Sequence, residues 1–141
     1  MRTLHVTHRA EFCAAYRLAS PALSDDENRR TYGVCFSPHG HGHNYLLEVT
    51  VAGAPDSVTG MVMDLNRLKA LVEARVVQAV DHKNLNHDVD FLAGIVPTSE
   101  NLLLAFWERL ADELPGGVQL DSLRLQESRD QWVDYRGPAS R

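Results

Sequence analysis

The chain has 141 residues, 44% hydrophobic and 23% charged, with a formal net charge of -5 at pH 7; that suits a single globular domain spanning residues 1–141. The acidic balance argues against general nucleic-acid binding, while leaving room for a local basic pocket that takes an anionic substrate. No apolar run is long enough to span a membrane, Met1-Arg2-Thr3-Leu4-His5 lacks the apolar core of a signal peptide, and Cys13 and Cys35 make no disulfide framework, so a reducing cytoplasm is expected.

Residues 4–13 carry Leu4, Val6 and Phe12 in an alternating, β-branched setting that predicts a strand. Residues 17–40 read as loop, broken by Ser20-Pro21 and Ser37-Pro38, with Ser24 and Glu27 as a capping box for one short helical turn. Residues 43–52 alternate: Tyr45, Leu47, Val49 and Val51 share one face, Asn44, Leu46, Glu48 and Thr50 the other. After the turn at 54–60, Leu65, Leu68, Leu71, Val72, Val76 and Val80 recur at helical spacing, with Asp64 as cap. A loop runs to Pro97, and Thr98 or Ser99 caps a second helix with the stripe Leu102, Leu103, Phe106, Trp107, Leu110 and Leu114. Pro115-Gly116-Gly117 ends it, and residues 118–127 and 131–136 predict a hairpin. The order β-β-α-α-β-β predicts an α+β domain: a four-stranded antiparallel sheet with both helices on one face. The other face is expected to keep Leu and Val side chains and to meet another subunit.

The densest chemistry lies in Cys35-Phe36-Ser37-Pro38-His39-Gly40-His41-Gly42-His43-Asn44-Tyr45. On a strand His41 and His43 project from one face, an arrangement suited to a zinc ion or, equally, to a hydrogen-bonded pair. A zinc site of the catalytic kind needs a third protein ligand from elsewhere. Cys35 approaches from the preceding loop, where a thiol beside imidazoles is a candidate base or nucleophile rather than a buried small hydrophobe. Asp81-His82, after the first helix, is either a proton-transfer unit or a solvated helix end. Glu127 follows Leu123 and Leu125 at period two, so it shares their inward face and is either paired with a ligand or turned to solvent at the strand end. A flat ring with adjacent N–H donors would fit it bidentately.

Together, Phe12-Cys13-Ala14-Ala15-Tyr16-Arg17-Leu18, Leu23-Ser24-Asp25-Asp26-Glu27-Asn28, Cys35 through Tyr45, Gly60-Met61-Val62-Met63-Asp64-Leu65, Asp81-His82-Lys83-Asn84-Leu85, Pro97-Thr98-Ser99-Glu100-Asn101 and Glu127 resemble the 6-pyruvoyl-tetrahydropterin synthase / 6-carboxy-tetrahydropterin synthase family. The long segment from Leu23 to Gly33 is more similar to the animal-type pyruvoyl enzyme than to the shorter bacterial one. The resemblance implies a tunnelling fold (T-fold), trimerised into a barrel and stacked as a homohexamer with active sites between subunits. It implies a lyase acting on 7,8-dihydroneopterin triphosphate, eliminating triphosphate with rearrangement or cleavage of the side chain, with His41 and His43 as zinc ligands and Cys35 as general base or acid. It further implies Asp81 with His82 as a proton relay, and Glu127 as the pterin anchor with Thr98 and Ser99 nearby. One position departs: the family's third zinc ligand, a histidine in Phe-x-Ala-x-His-Arg-Leu, is here Tyr16. Three outcomes stay open: Tyr16 ligates as phenolate, His39 substitutes, or zinc is weak or absent, the last leaving a pterin- or purine-binding homologue with lost or altered metal chemistry as the alternative to a lyase. Phe36-Ser37, where the animal-type enzyme tends to carry two asparagines, is a second, smaller departure.

Overall fold

The computed structural model describes residues 2–139. Strand alternation starts the fold. β1 (Leu4–Tyr16) and β2 (His41–Gly53) pair antiparallel along their full lengths, with Leu4 opposite Gly53 and Tyr16 opposite His41. Both exceed the stretches expected from their apolar alternation, because the polar ends carrying Tyr16, His41 and His43 continue the ladder. β4 (Gln119–Ser128) adds to the free side of β2, and β5 (Gln131–Tyr135) folds back onto β4.

The helices bury one side of this sheet. α2 (Leu65–Val72) starts at Asp64, whose side chain accepts from the Asn66 N–H. It runs through a π turn (Glu73–Val77) into α3 (Gln78–Val80), burying Leu68, Val72, Val76 and Val80. α4 (Ser99–Leu110) is capped by the Thr98 hydroxyl and buries Leu102, Leu103, Phe106, Trp107 and Leu110. The edge of the Phe106 ring meets Phe12 of β1 with centroids 6.0 Å apart, fastening α4 to the sheet. Each such side chain, fully buried, contributes about 1.5–3 kcal/mol of transfer free energy. No helix among the described residues is long and apolar enough to cross a membrane.

Three features differ from the expectations. Residues 25–32 form a full helix, α1 (Asp25–Tyr32), followed by a 3-10 turn at Gly33–Phe36. The Ser24 cap is real, its hydroxyl accepting from the Glu27 N–H, but the helix it starts lasts two turns rather than one. The sheet has five strands in the order β3-β1-β2-β4-β5, because β3 (Lys83–Asn84) lies parallel to Ala14 and Ala15 of β1. The outer face is polar rather than apolar. It carries a Thr7–Thr50 hydroxyl contact of 2.7 Å and the ion pairs Arg9–Glu48 and Arg124–Asp134 at 2.7 and 2.6 Å. Leu46 is half-buried there, and exposed Trp132 lies under the Arg124 guanidinium. Apart from Leu46 and Trp132, the apolar side chains of the central strands fall on the helix side, so the outer face carries no continuous apolar patch.

Candidate active site

The site forms where β1 ends and β2 begins. Antiparallel register sets Tyr16 opposite His41, and Ala14 opposite His43. Directly opposed residues share a face, so the phenol and both imidazoles project to the helix side. Small Ala14 leaves room for the His43 ring beside it. The Tyr16 ring lies 4.7 Å from that of His41 and 5.6 Å from that of His43, centroid to centroid. Two glycines permit this close approach. Gly40 turns with φ +68, and a Cβ there would lie 2.6 Å from the Tyr16 carbonyl oxygen; a Cβ on Gly42 would lie 2.5 Å from that of Ala14.

Cys35 is delivered by the 3-10 turn at Gly33–Phe36, whose position is held by the chain just after β1. The Leu18 N–H donates to the Cys35 carbonyl at 2.8 Å, and Arg17 Nε donates to the Phe36 carbonyl at 2.9 Å. The Arg17 guanidinium lies 4.1 Å above the centre of the Phe36 ring, which is how the chain uses one of its departures from the family pattern. Cys35 Sγ ends 3.8 Å from His41 Nε2.

Glu127 sits at the irregularity between Gln126 and Ser128 in the β4–β5 pairing. Buried Ser99, in the first turn of α4, donates its hydroxyl to Glu127 Oε2 at 2.7 Å. Thr98 spends its hydroxyl on the Asn101 N–H. Tyr16, Cys35, Thr98, Ser99 and Glu127 line one cavity of about 410 Å³, together with Leu18, Tyr32, Gln131, Trp132 and Val133. Such a volume lies within the range of small-molecule sites.

Burial sets the electrostatics. It pushes the Tyr16 phenol up to about 12, and the Glu127 and Cys35 side chains nearby push the same way. Burial also lowers His43 from its ordinary value, against the opposing pull of Glu127 and with help from His41. Tyr45, beneath this group, is raised by burial first and then by neighbouring Tyr16. All three shifts favour neutral side chains. Within that neutral group the Tyr16 hydroxyl lies 2.9 Å from His43 Nε2. A phenol is the better donor of the two, so it donates and the imidazole nitrogen accepts.

The chain thus brings Tyr16, His41, His43, Cys35, Thr98, Ser99 and Glu127 together. Asp81 and His82 are elsewhere, at the edge of β1 away from β2. There Asp81 Oδ1 accepts from the Cys13 N–H at 2.9 Å and lies 3.0 Å from His82 Nδ1. His82 takes φ +59 and donates its own N–H to the Cys13 carbonyl, leaving an imidazole 82% exposed. The Cys13 N–H is the main reason the Asp81 carboxyl is held below the usual carboxylate range. The side chain of Cys13 is exposed. His39 is exposed in the turn before β2 and does not share the strand alternation of His41 and His43. Tyr32, Gln131, Trp132 and Val133 are cavity residues that the sequence reading did not single out, Tyr32 because its helix was read as loop.

A two-layer α+β fold with a thiol and a carboxylate lining one cavity defines the class: a small-molecule enzyme of the tunnelling fold. The model of the 6-pyruvoyl tetrahydropterin synthase family matches residues 5–138, and the chain belongs to that family. The 6-pyruvoyl tetrahydrobiopterin synthase of Homo sapiens is 45% identical over 94% of this chain and 90% of its own length. That of Poecilia reticulata is 45% identical with the same coverage. The solved structure of Caenorhabditis elegans 6-pyruvoyl tetrahydropterin synthase superposes with a TM-score of 0.91 at 37% identity, covering 98% of both chains.

The zinc of this family calls for three protein donors, and the donor set here does not fit it. Two are imidazoles, and the third position holds a buried phenol, pushed up to about 12, whose hydroxyl lies 2.9 Å from one of them. Among the described residues no three His, Cys, Asp or Glu side chains group closely enough to hold a metal.

Proposed function

We propose that this chain is a lyase acting on 7,8-dihydroneopterin triphosphate, eliminating triphosphate and rearranging the side chain toward a pyruvoyl group. The observation that carries this reading is that Glu127 and Cys35 line the same cavity. Glu127 anchors the guanidine-like edge of the pterin ring, with Ser99 holding Oε2 in place. The ring then extends its side chain toward Cys35. The thiol proton passes toward His41 Nε2, 3.8 Å away, and the thiolate takes a proton from the substrate side chain. Triphosphate departs with the electron pair of its C–O bond. The dihydro ring becomes tetrahydro as the side chain is oxidised, so no external oxidant or reductant is needed.

The chain alone leaves the relay incomplete, since Asp81 and His82 lie at the far edge of β1. Closure of the sheet into a barrel, with the β1–β3 edge of one copy beside β5 of the next, carries that pair toward the cavity, which β5 helps to line. A homohexamer of two stacked trimers is the assembly this reading requires, and a reducing cytoplasm is its setting. Light scattering of the purified protein checks the assembly.

Incubation of the protein with the triphosphate, with and without added zinc, tests the activity. Release of triphosphate together with a pyruvoyl product supports the reading. Triphosphate with acetaldehyde instead indicates side-chain cleavage, and the absence of product under both conditions refutes it.

A further inference from the structure

We propose that this chain does not keep the family's zinc: Tyr16 and His43 form a phenol–imidazole pair that occupies the metal's place, and the site is built to be zinc-free. Three observations carry this. The Tyr16 hydroxyl is 2.9 Å from His43 Nε2, so the nitrogen that a metal would bind is already engaged by the phenol. The second imidazole is engaged as well, with His41 Nε2 lying 3.8 Å from Cys35 Sγ. His39 offers no replacement from within the strand, because it lies exposed in the turn before β2. Tyr16 is also 4% exposed and packs against both imidazoles, its ring centroid 4.7 Å from that of His41 and 5.6 Å from that of His43.

The inference concerns the same cavity as the lyase reading and rests on the chain's place in the family, but its readouts do not involve turnover. Failure of either therefore leaves the other standing. The experiment is elemental analysis of the full-length protein, purified without chelator, then incubated with zinc and desalted. The wild-type chain is expected to retain far less than one zinc per chain, and added zinc is expected to produce no tyrosinate band in the ultraviolet difference spectrum. Tyr16→His should retain close to one, with an affinity in chelator competition at least about a hundredfold higher. Tyr16→Phe should bind no less zinc than wild type, because the hydroxyl is not a ligand. Near-stoichiometric zinc in the wild-type protein would overturn the proposal, whether or not Tyr16→Phe loses it. So would a folded Tyr16→His protein that gains none.

Discussion

Replacing Glu127 by Gln tests the ring anchor directly. Each carboxylate oxygen has two acceptor positions, and Ser99 uses one of those on Oε2 at 2.7 Å, leaving Oε1 and the remaining positions for a ligand. Glutamine keeps one oxygen acceptor and turns the other into an N–H donor that faces a donor on the ring. One charge-assisted hydrogen bond is lost, costing about 1.5–3 kcal/mol. That weakens pterin binding by roughly tenfold to hundredfold. Ser99→Ala leaves the carboxylate intact and removes only its positioning bond, about 1 kcal/mol or roughly fivefold. Titration with an unphosphorylated pterin, followed by its fluorescence, isolates the ring contribution. Inorganic triphosphate is the control ligand, and its affinity should not change. Glu127→Gln binding the pterin within about threefold of wild type, or losing both ligands equally, would refute the assignment.

Cys35→Ala should lower turnover by about 100-fold or more while leaving pterin affinity unchanged, as stopped assays and the same titration will show. Gly42→Ala places a Cβ 2.5 Å from the Ala14 carbonyl oxygen, where backbone must yield; a loss of about 1–3 kcal/mol in denaturant unfolding is expected. Asp81 is held below the usual carboxylate range, chiefly by the Cys13 N–H, so its stabilising contribution is present at neutral pH and fades as pH falls through that depressed value. Asp81→Asn should therefore melt lower than wild type at neutral pH, with the gap narrowing in acid; a gap that widens in acid contradicts the assignment.

Local periodicity carried most of the architecture. Alternation around Tyr45–Val51 and the helical stripe from Leu65 to Val80 report burial on one side, which is a property of neighbouring residues and so visible in a linear string. α1 was not visible in this way. Its residues are nearly all polar and exposed, and Asn28, the one it buries, binds loop backbone at Ser20 and Leu23 rather than forming a stripe. β3 escaped because it is two residues long and depends on a parallel pairing with distant Ala14 and Ala15. In the site, period-two spacing placed Glu127 on the inward face, and its contact with Ser99 agrees. The sequence order could not show that Asp81 and His82 lie across β1 from the cavity, since that is set by strand order. Nor could it choose among the fates of Tyr16, which depended on where its hydroxyl points.

The contact between Tyr16 and His43 also has a genetic reading. Tyrosine and histidine codons differ by one pyrimidine transition at the first base, so the two forms of this site are neighbours in mutational space. The close approach at Gly40 and Gly42 and the two imidazoles of β2 do not depend on which of the two residues stands at position 16. A single base change thus alters the donor at the end of β1 without rebuilding the ladder that presents it.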